Sequence, residues 1–295
     1  MQPTHPPGKP RSLREQKVNR FPRRLWHNSS KRLDSFGRLV PMPLFARASA
    51  AAAPDRFELA TESGLLPVDI RRHPRARSYT LRVAGPGRPP ILTMPQRGTL
   101  AEAHRFLERH SGWLTRQIDR LPPAIPIADG WPVPLRGELH TVRHTPGRRG
   151  AVSVGEDENG PALFVSGEAA HLRRRVIDFL KREAHRDIEA AVARHAARLE
   201  VKPKAIRYRD QITRWGSCTT TGHLSFSWRL IMAPPLVLDY LAAHEVAHLS
   251  EMNHSRRFWQ LCKSLSPQSD IARAWLAAQG PALHAIGADD ACRAA

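Results

Sequence analysis

Apolar residues recur along this chain in two rhythms, and each predicts a type of element. From Leu65 onward short segments carry strand character: PVDIRR at 67–72, SYTLRV at 78–83 and ILTMP at 91–95, punctuated by Gly and Pro. Between Leu100 and Leu121 the rhythm lengthens. Leu100, Ala103, Leu107, Leu114, Ile118 and Leu121 fall near helical spacing, which predicts an amphipathic helix anchored by Trp113. A proline-rich connector follows over 122–134, then a strand over 138–144. AVSV at 151–154 and ALFV at 162–165 flank an Asn159-Gly160 turn signal and predict a hairpin.

The longest helical pattern runs from Glu168 to Glu200 without Gly or Pro, with Leu172, Val176, Phe179, Leu180, Ile188, Val192 and Leu199 on a broad apolar face. His171, His185 and His195 within it lack an acid at matched spacing and read as structural or solvated. The run Arg173 to Arg175 reads as a solvated face or as a contact for an anionic partner. After Pro203, segments 206–208 and 224–232 look extended, with RWGSC at 214–218 between them. The second leads into a helix begun by Pro234-Pro235, where a missing amide hydrogen costs nothing. Beyond it, 255–265 reads as a helix packing Phe258, Trp259 and Leu261 beneath the preceding turn. A short helix over 270–278 and a loose tail after Gly280 complete the pattern.

The helix after Pro235 carries the chemistry. Val237, Tyr240, Leu241, His244 and His248 share one of its faces, and His244, Glu245 and His248 form an HExxH arrangement. Imidazoles four residues apart project from successive turns and can reach one metal. Zinc fits, and Glu245 is then placed to act as general base on a water. His254 is the candidate third ligand. In a continuous helix it would lie about 15 Å from His244 along the axis, too far for a shared ion. The helix must therefore end, and Met252-Asn253 is the expected place, because asparagine tolerates the left-handed backbone that reverses a chain. Three protein ligands leave the fourth position to water, the mark of a catalytic site with one zinc per chain. With 15 histidines in the chain, HExxH alone can arise by accident. An apolar face broken by two histidines and a glutamate, however, is costly to bury without a partner for them.

Composition adds three points. The apolar fraction of 41% supports a proper core, and no run of 18 apolar residues suggests a membrane span or membrane partner, so a cytoplasmic location is the default expectation. Cys218, Cys262 and Cys292 are too scattered for a disulfide framework and are expected as free thiols. Net charge is +19, with 11 Lys/Arg against 3 Asp/Glu in residues 1–55 and 35 against 24 in the rest. That balance favours anionic partners, nucleic acid among them, although a genome rich in arginine would give the same balance. Residues 1–55 read as a disordered basic extension, with Met42 the preferred start.

Four stretches together, TRWGSC at 213–218, WRLIMAPP at 228–235, DYLAAHEVAHL at 239–249 and MNHSRRFW at 252–259, resemble the YgjP-like metallopeptidases, relatives of the SprT-like and WLM zinc proteases. A weaker likeness begins near Leu65, so the resemblance covers residues 65–265. It implies an α/β (α+β) fold: a β-rich part over 65–165, the long helix over 168–200, and a zincin-like catalytic part over 201–265 with the HExxH helix beside a small antiparallel sheet. Residues 266–295 would add a C-terminal helix and tail. It further implies zinc on His244, His248 and His254, with Glu245 as general base and later proton donor in hydrolysis of a peptide or protein substrate. Val246 and Ser227 depart from the residues expected at their positions, leucine or phenylalanine and asparagine respectively.

Arg214 and Trp215 are candidates to line the cleft or stabilise an oxyanion. The plainer expectation for RWGSC is a tight turn packing Trp215 against the metal helix, with Cys218 no nucleophile because no base is positioned for it. A strand leading into the helix suggests a sheet edge beside the zinc, where an extended peptide could add. Two other functions stay open: a basic DNA-associated factor with proteolysis limited to proteins on DNA, and a zinc-binding scaffold without turnover.

Overall fold

The computed structural model describes residues 56–61, 64–147, 150 and 152–288, so the basic extension over 1–55, with Met42, and Cys292 lie outside the described residues. The first sheet contains β1 (Arg56–Thr61), β2 (Gly64–His73), β3 (Thr80–Arg82) and β4 (Ile91–Pro95) in the order β1-β2-β4-β3. β1 is an addition to the expected strands; its Leu59 faces Leu66 across an antiparallel pair, and both are buried. α1 (Leu100–Asp119) begins at Thr99, whose side chain accepts from the Glu102 amide while the Glu102 carboxylate accepts from the Thr99 amide. Its Ala103, Leu107 and Leu114 close one core against Val68, Leu92 and Met94. Trp113 does not anchor it. That side chain, one residue before Leu114 and so about 100° around the helix, is 40% exposed.

The second sheet has the order β5-β6-β8-β7, from β5 (Pro132–Leu135), β6 (Glu138–His144), β7 (Val152–Asp157) and β8 (Gly160–Val165). β5 falls inside the proline-rich connector, at a sheet edge that tolerates Pro132 and Pro134. A 3-10 turn at Ala169–His171 then leads into α2 (Leu172–Arg198). The third sheet joins β9 (Ala205–Arg209), β10 (Gly216–Cys218) and β11 (His223–Ser227) in the order β10-β11-β9. β10 and β11 are antiparallel, as expected beside the HExxH helix, while β9 adds parallel to β11. Thus RWGSC is not a tight turn: its last three residues are an edge strand.

The stretch 224–232, expected to be extended, is strand only as far as Ser227; Trp228–Met232 is a 3-10 helix with all five residues buried. α3 (Pro235–Ala247), α4 (Arg256–Leu265) and α5 (Ser269–Ala285) follow. α5 runs past the expected stop, and the chain after Gly280 is not loose: Leu283, Ala285 and Ile286 are buried, and Ile286 bridges Ile125. Among the described residues the fold is α+β, five helices with three small mixed sheets.

α3 lies at the centre of the larger core, against α2, α4, α5 and β10. Its start is seated by the two-residue β5–β6 loop, where Arg136 and Gly137 are both left-handed (φ 52° and 83°). The Arg136 amide donates to Ile231 O at 2.6 Å, and its guanidinium binds Glu183 and Asp187 of α2. Gly137 approaches so closely that a Cβ there would lie 2.9 Å from Pro234 Cα. Midway along α3, Asp239 accepts from Arg194 and, at 2.8 Å, from buried His195 Nε2, which makes His195 structural. Burial opposes the charge on Asp239, but these two partners outweigh it and hold the carboxyl below its ordinary value.

Candidate metal centre

α3 starts with Pro235 at its first position and ends at Ala247, earlier than expected. Leu249, Ser250 and Glu251 donate their amides to Val246 O, Ala247 O and Ala247 O, so a tight turn closes the helix at His248. Asn253 is not left-handed; the reversal uses turn hydrogen bonds instead. Ser255 then caps α4, its Oγ accepting from the Phe258 amide at 3.2 Å. The result returns His254 to the first histidine: His254 Nε2 and His244 Nε2 lie 3.2 Å apart. One ligand atom from each of His244, His248 and His254 falls within 4.8 Å of the others.

The donor set fits a metal. Two nitrogens each about 2.05 Å from a tetrahedral zinc stand roughly 3.3 Å from one another, close to the 3.2 Å between His244 Nε2 and His254 Nε2. On two of the rings the other nitrogen is engaged elsewhere: His248 Nδ1 donates to Glu251 O at 3.0 Å, and His244 Nδ1 lies 3.3 Å from the Tyr240 hydroxyl. Such contacts fix the rings and leave each Nε2 lone pair for a cation. Burial, and then the neighbouring imidazoles, push His244 down to about 3; burial is also the first cause of the lowering of His248. Both are thus neutral near pH 7, the state a metal requires.

An aromatic floor supports the three rings. Buried Phe258 stacks on His248 at 4.5 Å and meets His244 and His254 edge-on at 4.9 and 4.8 Å. Trp259 stacks on His254 at 5.6 Å, and Arg273 caps the far side of Trp259 at 4.6 Å. Phe258 and Trp259 are two of the three residues expected beneath the turn; the third, Leu261, is partly buried against the larger core. His254 itself is exposed, so the cluster opens on that side.

Glu245 points away from this floor, toward β10. It is 4% exposed, and its Oε2 has no hydrogen-bond partner among the described residues. Burial pushes its carboxyl up to about 8, with the Arg214 guanidinium pulling the other way. A metal cation nearby would pull it down further. Arg214 is therefore within electrostatic reach of Glu245. Trp215 stacks on His284 of α5 at 4.6 Å, and its backbone oxygen is held by the Ser227 amide. Burial and the Glu245 charge push Cys218 up to about 11, which keeps it a protonated thiol.

Residues 77–279, more than half of the chain, match the family model described as the YgjP-like metallopeptidase domain. The chain belongs to the YgjP-like family. No curated protein and no solved structure matches it. Membership makes this YgjP-like protein a metallopeptidase in general terms, a hydrolase that works with a metal ion, and the three clustered histidines are where such an ion fits. Sequence reasoning missed Tyr240, Glu251 and Gly216 as supports of the YgjP-like site. Tyr240 had a signal, four residues before His244 on the same face; a backbone acceptor such as Glu251 O leaves none.

Proposed function

We propose that this YgjP-like protein hydrolyses peptide bonds with one zinc ion held by His244, His248 and His254. The observation that carries the reading is the return of His254 to within 3.2 Å of His244 beside a buried, unpartnered Glu245 carboxylate oxygen. Zinc, when bound, would polarise the scissile carbonyl and make water a nucleophile near neutral pH. Glu245 takes the proton of that water and later delivers it to the leaving amine. Arg214, exposed and electrostatically coupled to Glu245, offers positive charge for the oxyanion that develops on the carbonyl. β10 is the sheet edge nearest Glu245, and an extended substrate would add along it, with Trp215 fixing the start of that edge. The reading keeps the cytoplasmic location suggested by the sequence; no helix of the described residues is long and apolar enough to cross a membrane.

Elemental analysis of wild type and His254→Ala tests the ligand set: one zinc per chain, lost or strongly weakened in the variant, is the expected result. Zinc that ignores His254, or no zinc at all, overturns it. Glu245→Gln tests turnover against a scaffold role, since it should abolish cleavage of a peptide mixture while zinc stays bound. Restriction to DNA-bound proteins draws on the net charge of +19 and on the resemblance to SprT-like and WLM proteases, and is tested by a salt-dependent gel shift.

A further inference from the structure

A cavity of about 680 Å³ lies apart from the histidine cluster and shares no lining residue with it. Its walls come from the β3–β4 loop, α2, the end of β9, the 3-10 helix after β11 and the chain just past α5. Five cationic side chains line it, Arg88, Arg173, Lys181, Arg209 and Arg229, against one carboxylate, Asp210.

The one acid is already committed. Asp210 accepts from Arg229 Nε at 2.6 Å and from Arg88 Nη2 at 2.7 Å. Arg229 is committed as well: it is buried and donates to Leu283 O and Ile286 O, both at 2.8 Å. Lys181 and Arg209 differ. Neither has a carboxylate at ion-pair distance among the described residues, and the Lys181 ammonium stands 6.0 Å from the centre of the Trp228 ring. Trp228 is 4% exposed, yet its indole N–H, a donor with no accepting capacity, has no acceptor among the described residues. Lys181 and Arg209 are exposed, and a cavity wall with five cations to one committed acid fits a ligand rich in acceptor oxygens and negative charge. The volume lies within the range for small-molecule sites.

We propose that this cavity binds a phosphate-bearing ligand, its oxygens taking charge-assisted bonds from Lys181 and Arg209. The phosphate would come either from a free phosphorylated small molecule or from the backbone of a nucleic acid strand seated there.

Calorimetric titration of the full chain with inorganic pyrophosphate, and separately with a short single-stranded oligonucleotide, tests the site. Lys181→Gln with Arg209→Gln should weaken pyrophosphate binding about tenfold or more, the scale of losing charge-assisted bonds. Arg105→Gln with Arg116→Gln removes the same charge from α1 and should leave binding within about twofold, because distant surface charge acts only through a screened field. An oligonucleotide that binds and loses the same factor identifies a nucleic acid backbone as the source; one unaffected by the cavity variants identifies a free phosphorylated compound. No pyrophosphate binding by wild type, or equal losses in the cavity and α1 variants, would overturn the proposal.

Discussion

Gly216 leaves room for Glu245. A Cβ on this edge-strand glycine would fall 2.9 Å from both Cγ and Cδ of the glutamate, and closer still to Oε1. The glutamate is buried against α3 and β10 and cannot swing away without losing its place. Gly216→Ala should therefore displace the carboxylate, and the cleavage rate should fall about a hundredfold or more, the contribution of a positioned general base. Zinc content should hold, because no histidine moves. An alanine variant with wild-type turnover would show that Glu245 does not act from where it lies.

The Tyr240 hydroxyl, 3.3 Å from His244 Nδ1, supports a ring proposed to hold the metal. Tyr240→Phe keeps the buried ring and removes only that contact. Zinc affinity, measured by competition with a chromophoric chelator, should drop about 10- to 100-fold, the usual effect of deleting such a support. Unchanged affinity would mean that packing alone fixes His244.

Phe258 is the largest side chain touching all three histidines and is fully buried. Phe258→Ala should cost about 3–5 kcal/mol in urea unfolding. It should also loosen zinc, since the floor beneath three rings is removed at once. A loss of stability with zinc affinity intact would separate the floor from the site.

Asp210 predicts an acid limb of stability. Burial raises its carboxyl, but the Arg229 and Arg88 guanidinium groups outweigh burial and leave it below its ordinary value. A carboxyl depressed in the folded state stabilises the fold above its unfolded value of about 3.9 and loses that contribution as pH falls through the folded value. Asp210→Asn should be less stable than wild type at pH 7, and the gap in urea midpoint should shrink as the medium is taken below about pH 4. A gap that stays constant with pH would assign the loss to packing.

What the sequence made legible were features decided locally. α1 is announced by Leu100, Ala103, Leu107 and Leu114 along one side, and α2 by an unbroken helical period. The metal cluster was legible because only a broken helix can bring His254 back to His244. Features decided by distant partners were hidden. Trp228–Met232 is buried at all five positions, and a run buried on every side has no alternation to tell strand from 3-10 helix. Gly280 and Pro281 look like a helix stop, yet α5 continues because Gly280 admits Trp215, which a Cβ there would meet at 3.0 Å. In the sequence Gly216 reads as part of a turn, because the glutamate it faces lies 29 residues further along the chain.

The seat of α3 carries a last consequence. Its start rests on the Arg136-Gly137 loop, its middle on His195 and Arg194, its carboxylate on the space left by Gly216 and its histidines on Phe258. Every one of these supports except Phe258 comes from chain laid down before the helix itself. The HExxH segment is therefore not a portable module: grafted alone onto another scaffold, the same letters would keep their ligands and lose the geometry that makes them a site.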